Sequence, residues 1–379
     1  MTVVLTLNDV SKTYGGKPAV SGIDLAIAGD SYVSVLGASG SGKTTLLRLI
    51  AGFEEPETGS IVFEGERIDG TPAHERGIGF VFQNFALFPH LDVAGNIAFG
   101  LVNRRRDPVR DKAELDRRVA EVIRLVGLTG LERRGVSQIS GGQRQRVALA
   151  RTLVTRPRLV LLDEPLGALD AHLRARMRDE LRQIRRSLGV TFLHVTGSET
   201  EALTMGDRLI VLDDGRIGQF AAPATVYAAP ASPAVARYLN AYNLIRGSRS
   251  GASFVSALGP LPLAASGDAR SASSNPPPSA PSGTSSNLGP AAADGVYAIR
   301  HDRIEVRAPE SVPGADEIMV PARFVASEYG GASMLSFFAL DTGQIVEVEE
   351  HLSRGMPLSL VPNSRYGLAW KRDAAIVYA

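Results

Sequence analysis

Cysteine is absent from all 379 residues, which excludes disulfides and thiolate metal sites and agrees with a reducing compartment. An excess of charge of either sign is missing too. The formal net charge is +1, so no global field draws the chain to nucleic acid. No apolar run approaches the roughly 18 residues that cross a bilayer, so a role at a membrane would run through a partner. The first fifteen residues show no basic stretch followed by an apolar core, so no export signal is expected. What remains is an ordinary globular composition, 44% hydrophobic, long enough for two domains.

One stretch organises the first of them. Tyr32-Val33-Ser34-Val35-Leu36 reads as a strand, Gly37-Ala38-Ser39-Gly40-Ser41-Gly42-Lys43-Thr44 as a glycine-rich loop, and Thr45 to Ala51 as a helix stopped by Gly52. Strand, loop and helix in that order are the context of a phosphate-binding loop. The glycines turn backbone N–H groups toward a β-phosphate, the helix N-terminus adds its dipole and Lys43 adds a compact charge. Thr44 would place its hydroxyl on a Mg²⁺ bridging the β- and γ-phosphates.

Further along, Ser140-Gly141-Gly142-Gln143 opens a helix with a capping serine, its glycines leaving first-turn N–H groups bare for an anion. The continuously apolar Leu159-Val160-Leu161-Leu162 reads as a buried strand ending in Asp163-Glu164-Pro165. Adjacent carboxylates there are costly unless a cation or an activated water uses them. Asp163 would hold the Mg²⁺ and Glu164 would polarise water. Tyr14, in a strand-end turn, is either packed or a platform for an adenine ring. The apolar run Phe85 to Leu91 is either the core of a helical subdomain or a groove for a partner's helix, and composition favours the core. Arginine clusters at 104–106 and 117–118 read as solvated faces, with no interleaved aromatics in the manner of a nucleic-acid surface.

Strands at 191–196 and 208–212, with a helix at 171–188 before them, complete an α/β core with a mostly parallel sheet. Beyond residue 235 the pattern changes. Residues 264–293 form a Ser/Pro/Gly/Ala-rich insert, and short strands are expected at 296–306, 322–329, 334–340, 344–349 and 376–378, which together suggest a small β-barrel with Trp370 in its core.

Tyr14, the phosphate loop, Gln83, Ser140 to Gln143, Leu162 to Pro165 and Ala168-Leu169-Asp170 occur in the order and spacing of an ABC transporter ATPase subunit, which residues 1–235 resemble. The resemblance implies an α/β P-loop NTPase fold with a helical subdomain at about 84–157, followed over 236–379 by an all-β, OB-like barrel of the TOBE type. Phe82 to His90 resembles most the branch importing polyamines, ferric iron or aminoethylphosphonate. The family implies ATP and Mg²⁺ as cofactors. Nucleotide would be held by Tyr14, Gly37, Ser39, Gly40, Ser41, Gly42, Lys43, Thr44 and Thr45, and across a head-to-tail homodimer by Ser140, Gly141, Gly142, Gln143 and Asp170. Thr44, Gln83 and Asp163 would surround the metal, and Glu164, Gln83 and Lys43 would carry the chemistry. Expected partners are the permease's transmembrane subunits and, indirectly, a solute-binding protein, with the chain peripheral on the cytoplasmic side of the cell membrane. The resemblance also turns the 85–91 run into a docking groove for a permease helix.

Two positions depart from the family. Gly167 stands where a serine is usual, and the strand from Thr191 ends Val195-Thr196-Gly197-Ser198, with glycine in place of the histidine that reaches the γ-phosphate. His194 points to the opposite strand face from residue 197 and is expected to be packed or partly exposed. A weakly hydrolysing regulatory subunit is therefore the competing reading. An ABC-type ATPase acting on nucleic acid would need a basic stripe and a tandem second unit, and the chain has neither.

Overall fold

The computed structural model describes residues 2–104, 108–167, 169, 171–256, 258–263, 295–355 and 357–378. The expected insert at 264–293, most of the arginine cluster at 104–106, Ala168 and Asp170 lie outside the described residues. Two compact units divide the chain, Met1–Val226 and Tyr227–Ala379.

In the first unit the strands are β1 (Val3–Tyr14), β2 (Lys17–Ala28), β3 (Tyr32–Leu36), β4 (Thr58–Phe63), β5 (Glu66–Arg67), β6 (Gly79–Val81), β7 (Leu159–Asp163), β8 (Thr191–Thr196), β9 (Arg208–Asp213) and β10 (Arg216–Ala221). The helices are α1 (Lys43–Ala51), α2 (Val93–Asn103), α3 (Lys112–Leu125), α4 (Gly141–Leu153), α5 (Ala171–Leu188), α6 (Glu199–Met205) and α7 (Pro223–Ala228), which straddles the division. An antiparallel sheet β2-β1-β4-β5 packs beside a six-stranded sheet of order β10-β9-β3-β8-β7-β6. In the latter, every pair is parallel except the β9–β10 hairpin. Strands β3, β7 and β8 are buried along their whole length, as continuously apolar strands covered on both faces must be.

The helical subdomain expected at about 84–157 includes α2 and α3 ahead of α4. Asp92 caps α2 by accepting from Gly95 N at 2.7 Å, and Asp111 caps α3 by accepting from Glu114 N at 3.0 Å. Their buried faces, including Ile97, Leu101, Val119 and Ile123, share a core with Val147, Leu149 and Leu153 of α4.

Among its described residues the second unit is all β apart from the end of α7, α8 (Pro233–Tyr238) and short 3₁₀ turns. Its strands are β11 (Tyr242–Ser250), β12 (Ser253–Ser256), β13 (Gly259–Pro262), β14 (Gly295–Arg300), β15 (Glu305–Arg307), β16 (Glu317–Tyr329), β17 (Ser333–Ala339), β18 (Ile345–His351), β19 (Arg365–Lys371) and β20 (Ala375–Tyr378). They form two antiparallel five-stranded sheets, β13-β12-β11-β14-β20 and β15-β19-β16-β17-β18, around a core holding Phe254, Tyr297, Phe338 and Trp370. Trp370 donates from its indole to Tyr297 Oη at 2.8 Å. The expected single strand at 296–306 is two, because the 3₁₀ turn His301–Arg303 carries the chain from one sheet to the other. Strands β11 to β13 were not expected at all. Their run of glycine, serine and proline hides a meander that backbone pairing holds together.

Candidate functional site

The carboxyl ends of four adjacent parallel strands supply the site. β8 lies between β3 and β7, with Leu36 opposite Thr196 and Asp163 opposite Val195. β6 follows, with Val81 opposite Leu162. The loop after β3, residue 197 after β8, the carboxylates ending β7 and Gln83 after β6 are therefore side by side.

Two loop glycines are required by close approach. A Cβ on Gly37 would collide with Ser41 Oγ and the Leu212 carbonyl, and one on Gly42, at φ +97°, with the Ala19 carbonyl. Gly42 caps α1 without a side-chain bond, so the first-turn N–H groups stay open. Ser41 Oγ is buried without a partner. Lys43 is buried and donates from Nζ to the carbonyls of Gly37 and Ala38, both at 2.8 Å. Burial lowers its pKa, against the attraction of Glu164 and Asp163, which raises it. Thr44 Oγ1 donates to Asp163 Oδ1 at 3.3 Å. Burial also raises the Asp163 pKa, and Glu164 beside it adds to that, while Thr44, Arg48 and Lys43 oppose it.

Gln83 Nε2 donates to Glu164 Oε2 at 2.9 Å. Glu164 sits at φ +44°, a left-handed conformation that is uncommon for a residue with a side chain and that concentrates at functional positions. It turns the chain directly after β7, so Asp163 and Glu164 face different neighbours. A Cβ on Gly167 would stand 3.9 Å from Glu164 Oε2 in ordinary contact, so the missing serine would fit there. At Gly197 a Cβ would meet nothing within 4 Å.

His194 is fully buried, not partly exposed. Burial drives its pKa down to about 3, so the ring is neutral. Its Nδ1 lies 3.2 Å from Tyr32 Oη and its Nε2 lies 3.8 Å from Glu201 Oε2. Nε2 is buried with no hydrogen-bond partner, so its approach to Glu201 is an electrostatic contact and not a hydrogen bond. Thr196 Oγ1 donates to Glu201 Oε2 at 2.8 Å and accepts from Ser198 N at 2.9 Å. This buried chain pins the turn that carries Gly197. Sequence spacing did not reveal it, although a histidine and a threonine in an otherwise apolar strand were the available signal.

Other expected residues stand apart from this cluster. Ser140 and Gln143 form a reciprocal cap, Ser140 Oγ accepting from Gln143 N at 3.3 Å and Gln143 Oε1 from Ser140 N at 2.8 Å. Gly142 packs under Leu173. Among the described residues, no hydrogen bond or ion pair joins Ser140 to Gln143 with the phosphate loop. Tyr14 is 44% exposed at the end of β1, with Lys12 Nζ 5.7 Å from its ring centroid. In the aromatic run, Phe85 is buried while Leu87 and Phe88 are half-buried. Arg151 holds the run by donating to the carbonyls of Ala86 at 2.6 Å and Phe85 at 2.9 Å. Buried Asn96 accepts from Phe88 N at 2.8 Å and donates to Phe88 O at 3.1 Å. Phe99 and Val102 on α2 remain exposed beside it.

Residues 20–167 match the family described as ABC transporter. The spermidine/putrescine import ATP-binding protein PotA of Spiroplasma citri is 47% identical over 245 residues, which are 64% of this chain and 69% of that one. The chain belongs to the ABC transporter family. PotA of Rubrobacter xylanophilus is 50% identical over 245 residues, 65% of this chain and 64% of that protein, so the match leaves about a third of that relative's length uncovered. The sulfate/thiosulfate import ATP-binding protein CysA of Caulobacter vibrioides is 46% identical over 66% of this chain and 74% of its own length. Among solved structures, the dimeric post-hydrolysis state of the ATP-binding cassette MJ0796 bound to ADP and Pi superposes with a TM-score of 0.52 at 31% identity, covering 58% of this chain and 98% of that one. A nucleotide-free ATP-binding cassette at 22% identity (TM-score 0.56; 62% and 98% covered) shares the fold.

Proposed function

We propose that this ABC transporter chain is the ATP-binding and ATP-hydrolysing subunit of an importer for a small solute, with a polyamine first among the candidates because the PotA relatives carry that name. It would act as a homodimer docked peripherally on the cytoplasmic side of the cell membrane. Among the described residues no helix is long and apolar enough to cross a membrane. The solute's path would belong to separate permease subunits, loaded by a solute-binding protein.

The observation that carries the reading is the pairing of Gln83 with Glu164 and of Thr44 with Asp163 beside the phosphate loop. The residues fit Mg²⁺-ATP. The Gly37 and Gly42 cradle admits an anion where side chains would fill it, and Ser41 offers an unpartnered buried hydroxyl. The Thr44 hydroxyl, the Asp163 carboxylate and the Gln83 amide are the hard oxygen donors that Mg²⁺ prefers. When bound, the metal supplies charge neutralisation on the transferred phosphoryl group.

The chain's own residues do the rest. Lys43 exchanges its loop carbonyls for phosphate oxygens. Glu164, released from Gln83, accepts a proton from a water aligned with the γ-phosphate. Thr45, Ser39 and Gly40 complete the loop, and Tyr14 stacks on the adenine ring. Ser140 to Gln143 and Asp170 close the second face of the nucleotide from the partner subunit, and the Phe85 to Leu91 run with Phe99 receives a permease helix.

The test is purified chain carrying Glu164→Gln. ATP binding is expected to persist while phosphate release falls by on the order of 10²-fold or more. Hydrolysis at the original rate would reject Glu164 as the base.

A further inference from the structure

A cavity of about 510 Å³ opens on the helical side of the first unit, with no phosphate-loop residue in its lining. The last turn of α3, the middle of α4 and the length of α5 enclose it, through Arg124, Arg146, Arg176, Glu180, Gln183 and Ser187. Three guanidinium groups face one carboxylate. Glu180 is shared, accepting from Arg146 at 2.6 Å and from Arg176 at 3.1 Å. Arg124 has no ion-pair partner among the described residues, and Arg146 Nε is buried without an acceptor.

Buried Val126 and Ile184 form part of the wall, while the Arg124 and Arg176 side chains stand exposed at its mouth. An unpaired buried guanidinium N–H is costly, and guanidinium forks suit planar or tetrahedral oxyanions.

We infer that this cavity binds a phosphate or phosphomonoester dianion. Two uncompensated positive charges match two negative ones, and the Gln183 amide at the rim supplies a neutral donor, while the Ser187 hydroxyl already donates to the Ile184 carbonyl at 2.9 Å. A bound dianion would tie α3 and α5 to α4, the helix that begins at Ser140. The inference stands on this cavity alone and does not depend on how, or whether, the phosphate loop hydrolyses ATP.

The experiment titrates pyrophosphate and inorganic phosphate calorimetrically into the full chain carrying Lys43→Ala, which weakens the phosphate loop as a competing site. Saturable binding is expected. Adding Arg124→Ala and Arg176→Ala, both on exposed side chains, should weaken it by at least about tenfold. Adding Arg178→Ala and Arg186→Ala instead removes as much charge from α5 outside the cavity and should leave affinity within about twofold. Melting curves confirm that each variant is folded. Equal weakening by both pairs, no weakening by the first, or absence of binding at millimolar anion would overturn the inference. Selective binding of a glutamate-rich peptide in place of phosphate would also overturn it and assign the cavity to an acidic protein partner.

Discussion

Replacing Gly197 by histidine should accelerate ATP hydrolysis. The position follows β8, whose neighbours lead into the phosphate loop on one side and into Asp163 and Glu164 on the other. A side chain there emerges between the two halves of the proposed site. Its Cβ has nothing within 4 Å and the backbone carries no left-handed φ, so the substitution adds no strain. The Thr196 hydroxyl, bonded to Glu201 and to Ser198 N, already holds the turn. A hydrogen bond to a charged oxygen contributes about 1.5–3 kcal/mol. If realised in the transition state, that is a rate gain of roughly 10- to 150-fold. The assay is steady-state phosphate release, with ATP affinity measured in parallel and Gly197→Ala as the control for lost backbone freedom. Turnover that is unchanged or lower in a folded, ATP-binding Gly197→His chain would refute the view that this gap limits the site.

Two pH effects follow from buried groups. Burial pushes Glu199, at the start of α6, up to about 7. A carboxyl raised above its unfolded value favours the folded chain at low pH, and that benefit disappears between about pH 4.5 and 7. Glu199→Gln should therefore stabilise the chain above pH 7 by on the order of 1–2 kcal/mol after solvent screening, read by denaturant titration, and change little below pH 4.5; equal effects at both pH values would contradict this. His194 behaves oppositely. Its folded pKa near 3 lies below the unfolded value of about 6.5, so its stability is present above pH 6.5 and declines toward pH 3. Denaturant titrations of His194→Phe should show a pH dependence flatter by roughly 3 kcal/mol between pH 7 and pH 4, on top of a constant loss from the unpaired Tyr32 hydroxyl.

The parts of the site set by local chain geometry were legible. Gly37 and Gly42 must be glycine because backbone and side-chain atoms stand where a Cβ would go, and such needs recur at fixed spacing. The buried β7 announced itself by an unbroken apolar run. The bond between Gln83 and Glu164 was not legible from spacing, because it spans 81 positions and arises from β6 and β7 lying side by side. The β11 to β13 meander was hidden for a related reason. Residues such as Gly247, Ser250 and Gly259 carry no strand propensity, and only cross-strand pairing makes them strands. His194 broke the apolar pattern of β8, yet its partner Tyr32 comes from a strand 162 positions earlier.

The self-satisfied bonding of the site also separates binding from turnover. Lys43 is bonded to loop carbonyls, Thr44 to Asp163 and Gln83 to Glu164. Lys43, Thr44, Asp163, Gln83 and Glu164 are therefore already partnered, with Ser41 Oγ the exception, and none of the five is left as an unpaired buried charge. Nucleotide entry exchanges these bonds for equivalents, so affinity depends on the difference between the two sets and not on the whole of either. Two of the exchanges, at Lys43 and Thr44, are complete once phosphate and metal are in place. The third is different, because Gln83 occupies one of the Glu164 oxygens that an attacking water would otherwise use. Movement of Gln83, which lies two positions before the aromatic run proposed to receive the permease, would free that oxygen for water. A Gln83→Ala chain should accordingly bind ATP with little change yet lose the acceleration of phosphate release that its permease provides. Retention of that acceleration would show that the signal reaches Glu164 by another route.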